Sequence, residues 1–129
     1  MGADSDCAEP PPVELIRGIE EFNAGAWFDC HETLEEIWIG EPGVVRDLYQ
    51  GILQVAVALH HWREGNYNGA VLLFRTGVKL LGHVAPVCQG VDVTGLIQDT
   101  DRIRKALEGL GSERTAELDP ELIPRVHYR

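Results

Sequence analysis

The run from His31 to Trp38, HETLEEIW, holds the residue types best suited to chemistry in this chain. His31 and Glu35 are four residues apart, so on a helix their side chains lie on one face, which Trp38 also covers. An imidazole and a carboxylate so placed can bind a divalent metal ion. They can also form an acid–base pair in which the carboxylate fixes the imidazole tautomer. Glu32 is then the candidate general base for a metal-bound water.

The same run departs from two known metal motifs. Glu35 stands where the zinc-protease motif HExxH has its second histidine, and the Glu-x-x-His motif of carboxylate-bridged bundles is absent. The structural alternative is a buried hydrogen bond between His31 and Glu35 that fixes helix packing. Cys30 is a further candidate, as a thiolate nucleophile, but a cysteine on an apolar helix face is typical of a core.

Partners for His31 come from a second polar set further along the chain. Gln50, Gln54 and His61 are separated by steps of four and seven, so they share one helix face. His60 is rotated from His61 by about 100°, and helical geometry therefore favours His61 as the partner of His31. The candidate metal ligands, for zinc, iron or manganese, are His31, Glu35, His60 and His61, beside a polar network of Gln50, Gln54 and Trp38.

The second polar set lies on a stretch, residues 44–64, that is predicted to be a buried central helix. Residues 48–62 contain no Asp, Glu, Lys or Arg, and their apolar side chains occupy nearly all sides of a helix. The run is too short and too polar for a membrane span. Gly51 lowers helix propensity, so we expect another helix to approach closely there. The structural alternative for the two glutamines is that they satisfy backbone groups at this crossing.

Apolar periodicity and turn residues predict four further helices and a loop over residues 88–94. The helices run from about Val13 to Asn23, Trp27 to Ile39, Tyr67 to His83 and Leu96 to Leu110. Asp29, followed by Glu32, resembles a capping box that would move the start of the second helix toward Cys30. Segments 22–27 and 62–67 each have a glycine turn and an aromatic residue between two helices, the layout of tetratricopeptide-like hairpins. Two hairpins are too few for an open array, so we predict an all-α compact bundle of about five helices.

The turn after the central helix is predicted to be structural. Gly65 ends that helix, and Asn66 is the candidate N-cap of the next one. Gly69 and Ala70 are small, so they let the following helix pack closely. The whole chain is expected to form one helical domain, residues 10–111, between a disordered acidic tail, 1–9, and an extended C-terminal tail, 112–129.

The charge and the cysteines restrict the partners and the compartment. A net charge of -10 argues against binding nucleic acid or an anionic membrane. The scarcity of lysine, with only Lys79 and Lys105, fits a halophilic source, and an ordinary acidic protein is the alternative. The three cysteines are widely spaced with no CxxC pair, and no basic and apolar leader precedes them. We therefore expect reduced thiols in a cytoplasmic protein.

Three motifs resemble those of domain-of-unknown-function family 309, small helical proteins from bacteria and archaea. They are FNxGxWFxCHExLExxW at 22–38, QGxxQxAxAxH at 50–60 and GNYxGA at 65–70, within a match over about residues 15–81. The resemblance implies an all-α fold and brings the label "predicted metal-dependent hydrolase". The family's polar motif residues fall on His31, Glu32, Glu35, Gln54 and His60. The resemblance thus selects His60 where helix geometry selects His61, and both stay candidates.

Two functions remain open at the level of sequence. The favoured one is a non-catalytic binding module whose partner is another protein or a second copy, with the His/Glu/Gln cluster as a buried network. The alternative is a metal-dependent hydrolase of unknown substrate. A hydrolase needs a pocket that reaches solvent at His31, whereas a structural network would be sealed.

Overall fold

The computed structural model describes residues 6–129, which form five α-helices, a small hairpin and two 3₁₀ turns. The helices are α1 (Val13–Asn23), α2 (Trp27–Ile39), α3 (Arg46–Arg63), α4 (Tyr67–Gly82) and α5 (Val93–Leu110). The hairpin strands are β1 (Val87–Cys88) and β2 (Val91–Asp92), and the 3₁₀ turns are Thr115–Glu117 and Pro120–Leu122. The predicted all-α bundle around a central helix is confirmed.

Helix α3 lies at the centre because its neighbours cover it from two sides. Consecutive helices pack in order, α1 on α2, α2 on α3, α3 on α4 and α4 on α5. The fully buried side chains of α3 include Leu48, Ile52, Val55 and Leu59. None of the helices in residues 6–129 has the length and apolarity needed to cross a membrane.

The crossing of α3 and α4 is close because both helices have glycine there. A Cβ atom on Gly51 would lie 2.7 Å from the side chain of Leu81, which is fully buried on α4. A Cβ atom on Gly77 would lie 3.2 Å from the carbonyl oxygen of Gly51. The backbones of α3 and α4 thus lie closer together at this crossing than residues larger than glycine would allow.

The start of α5 differs from its prediction. A loop over 88–94 and a helix from Leu96 were expected, but the chain forms a hairpin and α5 begins at Val93. The two-residue turn has positive φ at Gln89 and Gly90, 48° and 78°, as a tight hairpin requires. The Asp92 carboxylate then accepts a hydrogen bond from the Gly95 N–H at 3.0 Å, which caps the helix. Helix α2 begins at Trp27 and ends at Ile39 as predicted, but the capping box that would have moved its start toward Cys30 is not formed, since the helix has no side-chain cap.

Replacing the capping aspartate should measurably weaken the fold. In Asp92→Ala the first turn of α5 loses its side-chain acceptor, and we expect the free energy of unfolding to fall by about 1 kcal/mol. Urea unfolding followed by circular dichroism measures this change. Asp92→Asn keeps an acceptor oxygen and should stay within a few tenths of a kcal/mol of wild type. Equal midpoints for wild type and Asp92→Ala would contradict the assigned cap.

The N-terminal residues are attached to the hairpin. The predicted disordered tail lies outside the described residues as far as residue 5, and residues 6–9 form a turn. Cys7 forms a disulfide with Cys88, while Cys30 is free and buried. The expectation of three reduced thiols is therefore wrong. The sequence pattern could not show this pairing, because the two bonded cysteines are 81 residues apart in sequence and come together only when the chain folds.

The C-terminal segment, expected to be an extended tail, packs on the bundle at several points. The Trp62 indole N–H donates to the Thr115 carbonyl oxygen at 2.9 Å. The Asn23 side chain exchanges two hydrogen bonds with the Val126 backbone, at 2.9 and 2.8 Å. Tyr128 then bridges to β2, and both Leu118 and Val126 are buried. Residues 112–129 are therefore part of the folded unit.

Candidate functional site

The motif residues of α2 and α3 meet at a small pocket between the two helices. The pocket has a volume of about 230 Å³ and is lined by Phe28, His31, Val57, His60 and His61. The Phe28 ring centre lies 5.8 Å from that of His31 and 6.0 Å from that of His60. Phe28 is 54% exposed although its ring lines this pocket. An aromatic ring therefore stands between two histidines at the surface.

Phe28 was not singled out from the sequence, although a signal was present. It lies three residues before His31, so on α2 the two side chains share a face. The pattern of apolar residues assigned Trp27 and Cys30 to the core, and both are buried. Phe28 lies beyond that apolar face, so the core pattern did not mark it.

The two histidines of α3 have different neighbours. His60 lies beside Phe28, whereas the His61 ring accepts at Nδ1 a hydrogen bond from the Asn66 amide at 3.1 Å. The Asn66 side-chain oxygen in turn accepts from the Gly69 N–H at 3.0 Å and caps α4. The face that carries Gln54 and His61 thus contacts α4, although His61 also lines the pocket with His31. Both histidines of α3 therefore stand at the pocket of His31, and both stay candidates.

The carboxylates predicted to work with His31 lie apart from it or outside the pocket. The Glu35 carboxylate is 3.9 Å from His31 Nε2, beyond hydrogen-bond distance, and the side chains are 45% and 28% exposed. An ion pair this exposed contributes little. Glu32 is exposed on α2. Within residues 6–129, no three His, Cys, Asp or Glu side chains group as metal ligands. The residues present therefore do not fit the divalent ion that the hydrolase label implies.

The polar network predicted around Gln50, Gln54 and Trp38 is not connected. The Gln54 side-chain oxygen accepts from the Thr76 hydroxyl of α4. The Trp38 ring lies under the Arg46 guanidinium at 5.6 Å, and its buried N–H has no partner. No hydrogen bond joins the three side chains to one another in the part of the chain that the structure describes. Gln54 and Trp38 instead meet different neighbours.

The ring nitrogens of the pocket determine what it offers a ligand. Nδ1 of both His31 and His60 is buried and has no hydrogen-bond partner. In His61 the Nδ1 accepts from Asn66, so the proton of the neutral ring lies on Nε2. His61 thus carries an N–H donor on Nε2, and the wall between the histidines is apolar.

Cys30 is not available as a nucleophile. The side chain is fully buried on α2, facing the core. Burial raises the pKa of its thiol far above the ordinary range, and the Glu21 carboxylate adds to the effect. The thiol stays protonated at neutral pH, and only a thiolate attacks efficiently.

The family model matches a segment that contains both helices of this pocket, and one relative matches a longer part of the chain. The family model described as "Domain of unknown function (DUF309)" matches residues 15–73. The uncharacterized protein YpuF of Bacillus subtilis (strain 168) is 32% identical over 108 residues, 81% of this chain and 62% of that protein. An uncharacterized protein of Aquifex aeolicus (strain VF5) is 37% identical over 56 residues, 42% of this chain and 17% of that protein. This chain thus spans less than two thirds of the length of either relative.

Proposed function

This chain belongs, through residues 15–73, to the DUF309 family of unknown function, and we propose that it is a non-catalytic binding module. Its ligand enters the pocket between α2 and α3. The observation that carries the proposal is the half-exposed Phe28 ring between His31 and His60, over an apolar pocket. An exposed aromatic side chain that lines a concave apolar surface is typical of a binding site.

The size of the pocket favours a protein ligand over a free metabolite. Pockets for small molecules usually measure about 300–1,000 Å³, and this one is about 230 Å³. Such a volume suits one bulky side chain, and a single buried aromatic or aliphatic anchor often dominates a protein interface. The ring nitrogens of the histidines would then form hydrogen bonds with polar atoms of the inserted residue. The proposed ligand is thus a segment of a partner protein.

The charges around the pocket favour a basic segment. Asp29 and Glu32 are exposed next to Phe28 and His31 on α2, and Glu35 follows one turn later. The nearby Arg63 is already engaged, since its guanidinium lies 4.3 Å from the Trp27 ring centre and donates to the Gly25 carbonyl oxygen. Lysine or arginine beside the anchor residue would complement the carboxylates and increase the association rate.

The alternative of a metal-dependent hydrolase gains no support from the arrangement of its residues. It requires Glu32 as general base beside a zinc, iron or manganese ion held by His31, Glu35 and His60 or His61. Glu32 is exposed, and Glu35 is only loosely associated with His31. A second copy of this chain is a further candidate occupant of the pocket.

Filling the pocket should abolish binding of a basic peptide with one aromatic residue. The probe is the capped peptide Lys-Lys-Tyr-Lys-Lys, followed by amide shifts in nuclear magnetic resonance. We expect saturable shifts at Phe28, His31, Val57 and His60, with a Kd in the millimolar range. In Val57→Trp the indole occupies the volume for the anchor, and affinity should fall at least tenfold.

The matched control is Leu72→Trp, which adds the same side chain at an exposed position of α4 outside the pocket. It should bind as wild type does. The proposed pocket would be contradicted if the amide shifts spread over all acidic surfaces and were equal in Val57→Trp and Leu72→Trp. Shifts at the same residues that depend on protein concentration without peptide would identify a second copy as the occupant.

A further inference from the structure

We propose that Cys7 and Cys88 form a reversible redox site that attaches an N-terminal strap to the hairpin and so closes a second cleft. The strap is defined as residues 6–12. Its Cys7 is half-buried within an exposed segment, whereas Cys88 is fully buried at the end of β1. The disulfide therefore joins an exposed surface segment to a core position, and of its two cysteines Cys7 is the partly exposed one.

The strap has few attachments other than the disulfide. The Gln89 N–H donates to the Cys7 carbonyl oxygen at 2.7 Å, and Pro11 lies beside Gly90. The other hydrogen bonds of residues 6–9 in the described chain stay within the turn itself. One hydrogen bond stabilises by about 0.5–1.5 kcal/mol, whereas ordering a residue costs about 1–2 kcal/mol. The disulfide is therefore what keeps residues 6–10 in place.

The strap forms one wall of a cleft that ends at Tyr49. The cleft measures about 470 Å³, and Glu9, Pro10 and Pro12 of the strap face residues of α2 and the following turn across it. At its base the Tyr49 hydroxyl donates to the Gln89 side-chain oxygen at 2.8 Å. Burial raises the pKa of the Tyr49 phenol, and the Glu9 carboxylate is among the smaller contributors. Release of the strap would remove this wall and expose the phenol.

Gln89 connects the redox site to the cleft. Its N–H bonds to Cys7, its side chain bonds to Tyr49, and it follows Cys88 directly. Its φ of 48° is unusual for a residue other than glycine, and such strain persists only where the surroundings hold it. Loss of the disulfide would remove one of the contacts that hold this conformation.

The redox step is ordinary thiol–disulfide exchange with a low-molecular-weight thiol. A thiolate, RS⁻, attacks the accessible Cys7 sulfur, the S–S bond breaks, and Cys88 leaves as a thiolate that takes up a proton. A second RS⁻ attacks the mixed disulfide, which releases RSSR and leaves Cys7 as a thiol after protonation. In sum, the protein disulfide and two RSH give two cysteine thiols and RSSR. Oxidation by RSSR reverses the same steps.

Amide hydrogen exchange in the two redox forms tests the proposal on the full chain. After denaturation, thiol titration should count one free thiol in protein equilibrated with oxidised glutathione. It should count three in protein treated with reductant. Reduction should speed exchange at the Gln89 amide at least tenfold while Ile52 in α3 stays protected. Cys7→Ser should behave as the reduced form under both conditions, and Cys30→Ala should keep the response of wild type.

Two outcomes would overturn the proposal. One is equal exchange at Gln89 in the oxidised and reduced forms. The other is three free thiols after equilibration with oxidised glutathione. Both outcomes are independent of the peptide site between α2 and α3, whose residues do not line the Tyr49 cleft.

Discussion

Reduction of the Cys7–Cys88 disulfide is expected to lower the free energy of unfolding by about 2–4 kcal/mol. The bond joins residues 81 apart in sequence, so it closes a loop over much of the chain. Closing such a loop restricts the unfolded chain far more than the folded one, in which only the short strap must be held at Cys88. This loss of stability is partly offset, because residues 6–10 regain conformational freedom in the reduced folded protein. Urea unfolding with and without reductant measures the difference.

The control for reduction is a variant that lacks the disulfide under all conditions. Cys7→Ser should match reduced wild type in stability and should not respond to reductant. Serine is suitable at position 7 because that side chain is only half-buried, whereas position 88 is fully buried. An unfolding midpoint that reductant leaves unchanged in wild type would show that the disulfide does not restrict the unfolded state.

Enlarging Gly51 by a single methyl group is expected to lower the free energy of unfolding by about 1–3 kcal/mol. The added Cβ atom would lie 2.7 Å from both Cγ and Cδ2 of Leu81 and 3.3 Å from its backbone nitrogen. Leu81 is fully buried and cannot turn away to solvent, so α4 must shift. The clash outweighs the gain of up to about 1 kcal/mol that alanine brings to a helix interior.

Gly109→Ala is the matched control for Gly51→Ala. Gly109 lies in α5, and a Cβ atom there would meet nothing within 4 Å. The same substitution should therefore raise the free energy of unfolding by up to about 1 kcal/mol. Opposite signs for the two variants, measured by urea unfolding, are the expected result. A stabilising effect at both positions would mean that the α3–α4 crossing is looser than its geometry implies.

The helices could be predicted closely because the information that specifies them is local. Apolar spacing of three and four, with Gly25, Pro42 and Gly65 as breaks, led to the bounds observed for α1 and α2. Residues 48–62 contain no Asp, Glu, Lys or Arg, and this marked α3 as the central helix. Such a composition stabilises only a helix that is covered by other elements on nearly all sides. The hairpin before α5 was missed because its strands are two residues long and show no periodicity.

The candidate site depended on rotations and contacts that no local pattern contains. His60 and His61 are adjacent in sequence but differ by about 100° around α3. Only the packing of α2 and α4 decides that His60 meets Phe28 while His61 meets Asn66. The sequence by itself thus determined the helices and the list of polar residues, because both follow from periodicity and composition. Only the tertiary structure decided the pocket and the disulfide, because each joins side chains from segments that are distant in sequence.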